Sequence, residues 1–490
     1  GVVWNQSANT YQRLGSLGGI ATSQSAGDAN LPIQAQMKRC MLFDSGLVNY
    51  YIDPDNPHFK DGENVPVASG TTTSTSTSEL VDSGADFVND GVVEGMVVKN
   101  ITDNTFAIIK GVAATTLVVA PDIFVNGEGY EIGTANYGGD DGQVMVEIPK
   151  FYQKVYQDGD LRYYLISKYK LPGYELHPAY TNGVWEVDYR YYSAFEGSLW
   201  DASTGDFVAS GSIASNIYST GDLLCSVAGQ WPKTNERRSE YRKAAITRGE
   251  GWRQLDFTLN SAVQLLYLIE YANFNTQGMI GMGRTELSDG SWVADSYIGM
   301  TGLSIGDGNG TNSVSNGGTA GYLTDYMTYR GIENWYGNVW KMIDGITWDG
   351  RWTGTAAAQP VYYTNNAEYF KDYGSDNMRY LCDASYVGAS SGYIADFEET
   401  FGFIPSAVGS SLLVRDYYWQ YSESGRDCWR VGLFGAHASY GSSAGGFALA
   451  ALSDWSYALS TVAGRLCFYP KNPNKQDDKI PTGGTTGQVL

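Results

Sequence analysis

Three histidines, five cysteines and two Gly-x-Ser-x-Gly strings are the groups in this 490-residue chain whose types and spacing could carry chemistry. The strings are Gly388-Ala389-Ser390-Ser391-Gly392 and Gly441-Ser442-Ser443-Ala444-Gly445. Such a string marks a hydrolase nucleophile when it forms a strand-to-helix elbow, but neither is followed by a helical pattern, and a chain with 60 glycines produces them by chance. Both read as turns. No two of His58, His177 and His437 fall at metal-ligand spacing, and His177, set between Leu176 and Pro178, reads as a hydrogen-bonded structural residue rather than a base. Cys40, Cys225, Cys382, Cys428 and Cys467 are widely spaced, with no CxxC pair. They indicate neither a zinc site nor a dense disulfide framework, and leave room for one long-range bridge. Asp307, Asn309 and Thr311 alternate in an oxygen-rich loop, as calcium ligands do, without the later Glu that completes an EF-hand. A structural calcium near Asp307 is the only cofactor this pattern allows.

The other chemistry-bearing side chains are aromatic. Between Gly425 and Phe468, large rings sit among Gly, Ser and Ala, the mixture recognition surfaces use because aromatics supply contact area at low entropic cost while small residues adapt. The candidate ligand-binding residues are Tyr418, Trp419, His437, Tyr440, Phe447, Asp454, Trp455 and Tyr457. Tyr and Trp also fill cores, sending one polar atom to a partner. Trp335, Trp340 and Trp348, in strand-like runs with apolar neighbours, are assigned to the core; for the loop aromatics both readings stay open.

The elements that must position these groups follow from composition and pattern. With 43% hydrophobic and 17% charged residues the chain is globular, and its length implies more than one domain. The 37 tyrosines and 60 glycines imply a turn-rich, strand-rich protein. A net charge of −21 argues against nucleic acid and anionic lipid as partners, since both need clustered Lys and Arg. No apolar run is long enough to span a bilayer, and the first residues lack the pattern of a signal peptide, so no membrane insertion is expected.

Residues 1–64 form a mixed segment with a short helix expected around Leu31–Phe43. The polar run Gly70–Ser78 reads as a flexible joint announcing an insertion, and 65–134 as a small all-β domain with strands at ADFV, GMVVKNI, NTFAIIKGV, TTLVVA and GYEI. In residues 135–470, Val144, Val146 and Ile148 alternate along a strand, and a hairpin is expected at Gln157–Asp160. Two helices are expected: Asn235–Thr247 after Thr234 as N-cap, and Ala262–Asn273 with Ser261 and Gln264 in capping-box spacing. Residues 471–490 read as an exposed tail or linker.

LPGYELHPAY (171–180), IEYANFNTQ (269–277), NWYGNVWKMIDG (334–345) and AGRLCF (463–468) together resemble the C-type lectin-like fold in its formylglycine-generating-enzyme-like form, as used by phage receptor-binding proteins of the major tropism determinant kind. IPKFYQK (148–154) and His177-Pro178 resemble segments of phage tail-fibre proteins, and GGTTGQVL resembles fibre-shaft linkers. The resemblance implies an α+β fold in which two helices flank small antiparallel sheets, with the 65–134 β domain inserted. It also implies a recognition surface between Tyr417 and Tyr457, held by the strands RVGLFG and AGRLCF. The implied function is that of a virion fibre or adhesin, displayed as a homotrimer, that binds a host cell-surface glycan or protein. The alternative is a structural head or tail decoration or adaptor whose loops contact other virion proteins. The fold also hosts an oxidase with closely spaced cysteines; Cys428 and Cys467 depart from that pattern, so no enzyme activity is carried over.

Overall fold

The computed structural model describes residues 1–182, 185–208, 219–286, 298–315, 324–350, 359–384, 391–398, 402–420 and 428–470. The chain is mostly β, with 38% strand, 12% helix and several large sheets. This corrects the α+β expectation of small sheets flanked by two helices. The strands join through pairings distant in sequence, and the principal helix is a buried element rather than a flanking one. The tail 471–490 lies outside the described residues, as do residues 388–390 of the first Gly-x-Ser-x-Gly string and 316–321 of the polar loop.

A seven-stranded antiparallel sheet is built from strands between Ala68 and Asn136, around a core that includes Phe87, Val98, Ile109, Val119 and Ile132. The Gly70–Ser78 run supplies two of its strands, Ala68–Thr71 and Ser74–Ser76. Threonine is β-branched and suits a pleated edge, and Ala68–Thr71 pairs with Gly129–Ile132, so this run is sheet rather than flexible joint. ADFV is not a strand; it forms turns that deliver Phe87 to the core.

Next to it stands a six-stranded antiparallel sheet in the order Trp252–Gln254, Leu466–Phe468, Tyr189–Ser193, Gln143–Pro149, Lys38–Leu42, Val48–Tyr51. Every residue of Gln143–Pro149 is buried, because both faces are covered: Val144, Val146 and Ile148 enter the main core, and Met145 enters a second one. The expected helix at Leu31–Phe43 is instead a 3₁₀ turn, Gln34–Gln36, followed by the strand Lys38–Leu42. The chain then leaves this sheet, and Tyr152–Asp158 pairs with Leu161–Ser167 in a five-stranded sheet. The hairpin falls where expected, with Gly159 at φ 59°.

The largest sheet has nine strands, from Arg379–Ala384 through Gln359–Tyr363, Trp340–Asp349, Trp429–Phe434, Leu449–Asp454, Tyr417–Gln420 and Gly392–Phe397 to Pro405–Gly409, with Val462–Ala463 paired onto Trp340–Lys341. Trp335, Trp340 and Trp348 are buried, as their apolar neighbours require.

Helix α1 spans Arg238–Thr247, three residues later than expected, and Thr234 bridges to Ala463 instead of capping it. Helix α2, Phe257–Tyr271, is buried along its whole length and starts five residues before the expected position. Its cap is Asp256, whose Oδ1 accepts from the Leu259 amide at 2.9 Å while Oδ2 takes Arg190 Nη2 at 2.6 Å. A single turn, α3, follows at Thr276–Met279.

RVGLFG lies in the nine-stranded sheet, whereas AGRLCF runs from that sheet into the six-stranded one, crossing at Gly464-Arg465. Gly464 is required there because a Cβ would stand 2.7 Å from the Tyr241 ring. The Arg465 guanidinium, fully buried, donates to four carbonyls: Glu333 O at 2.7 Å, Asn334 O at 3.1 Å, Ser193 O at 3.0 Å and Ala194 O at 3.1 Å. It joins the six-stranded sheet to the NWYGN loop. Arg465→Leu is expected to lower the unfolding free energy, measured in urea, by about 3–5 kcal/mol, because buried acceptors lose a charged donor. Arg465→Lys, which keeps the charge but not the fork, should cost nearly as much; a Lys variant within about 1 kcal/mol of the parent would refute the joint.

Candidate ligand-binding surface

The loop Asn334-Trp335-Tyr336-Gly337-Asn338 sets the base of the surface. Asn334 and Asn338 adopt left-handed backbone, φ 46° and 56°, which asparagine tolerates because its short side chain bonds locally. Both side-chain amides donate to Glu196, which also pairs with Lys341 Nζ at 3.1 Å. Lys341 is fully buried, and desolvation brings its ammonium down to about 8 against the pull of Glu196.

On this base rests the turn 436–447. Ala438 N donates to Asn338 O at 3.0 Å and Gly337 N to Gly435 O at 3.0 Å. Helix side chains hold its far side: Gln277 Nε2 reaches Gly441 O and Ala444 O at 2.8 and 2.6 Å, and Gln264 Nε2 reaches Gly446 O at 2.8 Å. Gly445 lies against Asp416, where a Cβ would come within 2.2 Å of a carboxylate oxygen. The second Gly-x-Ser-x-Gly string is therefore a pinned 3₁₀ turn, Gly441–Ser443, which continues into extended chain rather than a helix.

The sequence-selected residues separate by depth. Tyr418 and Phe447 are fully buried in the main core, which leaves them no surface for a ligand. His437 is 5% exposed, while Trp419, Tyr440, Asp454 and Tyr457 are half-buried and Trp455 is exposed. Asp454 caps its own turn, accepting from Ser456 N and Oγ at 2.7 and 2.6 Å.

The half-buried rings form a continuous stripe. Tyr393 and Tyr417 lie 5.2 Å apart, Tyr417 and Trp419 4.7 Å, Trp419 and Tyr440 4.9 Å, and Tyr440 and His437 4.5 Å, with Trp340 beneath at 5.2 Å from Trp419. Most meet edge to face, the arrangement ring quadrupoles favour. A separate exposed pair, Tyr373 and Trp455, has centroids 6.4 Å apart, with the Arg237 guanidinium 5.9 Å over the Trp455 ring. Sequence reading missed Tyr393, Tyr417, Tyr373 and Arg237. Strand alternation would have found Tyr417, since it shares a face with Trp419 while Tyr418 points inward.

The site offers ring faces, phenol hydroxyls and the Asp454 carboxylate. Burial, aided by the Lys341 charge, holds His437 down at about 4, so it is neutral at pH 7, with Nδ1 accepting the Ser439 amide at 3.3 Å. His177 is likewise held at about 3 by burial and by Arg190, with Nδ1 accepting the Ala179 amide at 3.2 Å. Cys40, Cys225 and Cys467 are free, buried thiols. Cys467 sits against Gln254 O and Asp256, where burial pushes it up to about 12. In the 307–311 loop, Asp307 Oδ1 takes Asn312 Nδ2 at 2.7 Å, Asn309 Oδ1 takes the Arg39 amide at 2.6 Å and Thr311 Oγ1 takes the Arg330 amide at 3.1 Å. Among the described residues no group of three or more His, Cys, Asp and Glu gathers to hold a metal, and no helix is long and apolar enough to cross a membrane. No protein-family model matches the chain, and no curated protein matches its sequence.

His437 and His177 bind protons more weakly folded than unfolded, so their contribution is complete above pH 6.5 and drains as pH falls toward the folded values of about 4 and 3. Between pH 7 and 5, His437→Gln should flatten the contribution of this histidine to the pH dependence of the unfolding free energy, measured in urea, by up to about 1.4 kcal/mol per pH unit relative to the parent. An unchanged slope in that variant would show that His437 titrates normally.

Proposed function

We propose that this chain is a non-catalytic attachment protein of a phage particle, which binds a host cell-surface glycan or protein through its aromatic stripe and the neighbouring Asp454–Tyr457 turn. The observation that carries this reading is the run of half-buried rings Tyr393, Tyr417, Trp419 and Tyr440, set on a hydrogen-bonded base. Rigid aromatics lose little entropy on contact, and their faces suit either sugar C–H faces or apolar side chains. The virion context rests on the resemblance of IPKFYQK and His177-Pro178 to fibre proteins. Display as a homotrimer would multiply weak contacts into avidity. The reading does not depend on a lectin-like fold.

Attachment to host cells should fall at least tenfold in Trp455→Ala and Tyr440→Ala, with Tyr457→Phe as a milder variant, while urea midpoints show that folding is kept. Unchanged attachment in all three would remove the site assignment. Unchanged attachment with impaired particle assembly would instead support the alternative, a head or tail decoration or adaptor whose aromatic stripe is covered by another virion protein.

A further inference from the structure

A second concave site lies where the seven-stranded sheet meets the rest of the chain. It encloses about 560 Å³, within the range of small-ligand clefts, and shares no residue with the aromatic stripe. Three aromatic rings line it, Trp200, Phe207 and Trp231, all half-buried, with Trp200 and Phe207 directly paired across strands and meeting edge to face at 5.2 Å. The rim carries the exposed carboxylates of Glu94, Asp140 and Asp206.

The cleft is built rather than incidental. Its floor, Gly229-Gln230, is tied to Thr301 by the Gly229 N to Thr301 O bond at 2.8 Å, the Gln230 N to Thr301 Oγ1 bond at 3.1 Å and the Thr301 N to Gln230 O bond at 2.9 Å. Gly229 has φ 69°, and a Cβ there would stand 2.7 Å from Ile108 of the seven-stranded sheet, so only glycine allows the two walls to close. Lys110 Nζ crosses the junction to Gly229 O at 2.9 Å. Asn136 Nδ2 holds the Glu94 carbonyl at 2.9 Å, fixing the opposite lip. A cleft whose walls are already bonded loses little entropy when it is filled.

The lining selects the ligand. Its only lysine or arginine among the described residues, Lys110, already donates across the junction and has Glu94 and Asp206 close enough to act on its charge, which leaves an anion no unshared cation and an acidic rim. Half-buried rings beside carboxylates and the Gln230 amide suit a molecule with apolar C–H faces and many hydroxyls: rings take the faces, and carboxylates accept the hydroxyl hydrogens. A metal cation would use the carboxylates but leave the paired rings of Trp200 and Phe207 without a contact.

We infer that the cleft lined by Trp200, Phe207, Trp231 and Asp206 is a binding site for a short neutral oligosaccharide. The test is titration of the full chain with cellotriose, maltotriose, xylotriose and triacetylchitotriose, followed by calorimetry and tryptophan fluorescence. At least one trisaccharide should bind, and Trp231→Ala should weaken it about tenfold. Asp206→Asn, an exposed change that leaves packing intact, should weaken it by a similar factor. Trp455→Ala and Tyr457→Phe, in the separate aromatic surface, should leave this binding unchanged. The inference is overturned if no trisaccharide binds, if binding survives both cleft variants, or if it is lost with Trp455→Ala. It is equally overturned if tetramethylammonium binds in the cleft and the sugars do not, which would reassign it to a cation. Loss of trisaccharide binding in the cleft variants with normal cell attachment would separate this site from the attachment surface.

Discussion

The Arg465 guanidinium is the point at which the separate parts of this protein are tied together. The chain leaves the nine-stranded sheet at Val462–Ala463 and enters the six-stranded sheet at Leu466–Phe468, and Arg465, the second of the two residues between them, is fully buried with donors reaching Ser193, Ala194, Glu333 and Asn334. A planar fork with several fixed donors can satisfy carbonyls arriving from different directions; a lysine ammonium or an apolar side chain cannot. Burial opposes the charge and lowers its proton affinity, and Tyr192, whose ring lies at 5.3 Å, Glu196 and Glu333 counter that only in part. Glycine at 464 is part of the same constraint, because the crossing passes against Tyr241 with no room for a side chain.

Much of the candidate surface depends on that crossing. Asn334, whose carbonyl Arg465 holds, begins the loop that carries Gly337 and Asn338 and leads into the strand of Lys341, and this loop supports the turn bearing His437 and Tyr440. The same turn is gripped from the other side by Gln264 of α2 and Gln277 of α3. Small residues let the turn fold tightly, while polar bonds from buried elements fix it. The aromatic stripe is therefore held at both ends, with Tyr393, Tyr417 and Trp419 on strands of the nine-stranded sheet and Tyr440 and His437 on the pinned turn, which limits the entropy lost on contact. The cleft beside the seven-stranded sheet uses the same device, with Gly229 as the close approach and Lys110 as the bond across it.

Local pattern was a good guide wherever pairing was local. Strands between Met96 and Ala120 pair with near neighbours, and the hairpin at Gly159 needs only a few residues to close. Pattern failed where pairing was distant: Lys341 opposes Phe434, and Tyr418 runs parallel to Leu449, registers that no window of sequence contains. The Thr/Ser run from Gly70 misled because polarity was weighed above β-branching, and Ser261 misled because Asp256, five residues earlier, is the better cap once Arg190 is beside it. The lectin-like expectation rested on short motifs. Such motifs mark turns and caps, but the size of a sheet is set by which strands find each other.

Composition and spacing alone determined that this is a Gly- and Tyr-rich, acidic, strand-forming chain. They also identified Trp335, Trp340 and Trp348 as core residues. Tertiary structure decided which rings face outward. Tyr418 and Phe447 are sealed in the core, while Tyr417, Trp419 and Tyr440 line the surface, because side-chain direction along a strand is fixed only when its neighbours cover one face. The cleft of Trp200, Phe207 and Trp231 was likewise invisible in sequence, since Lys110 and Gly229, which meet across it, lie 119 residues apart in the chain.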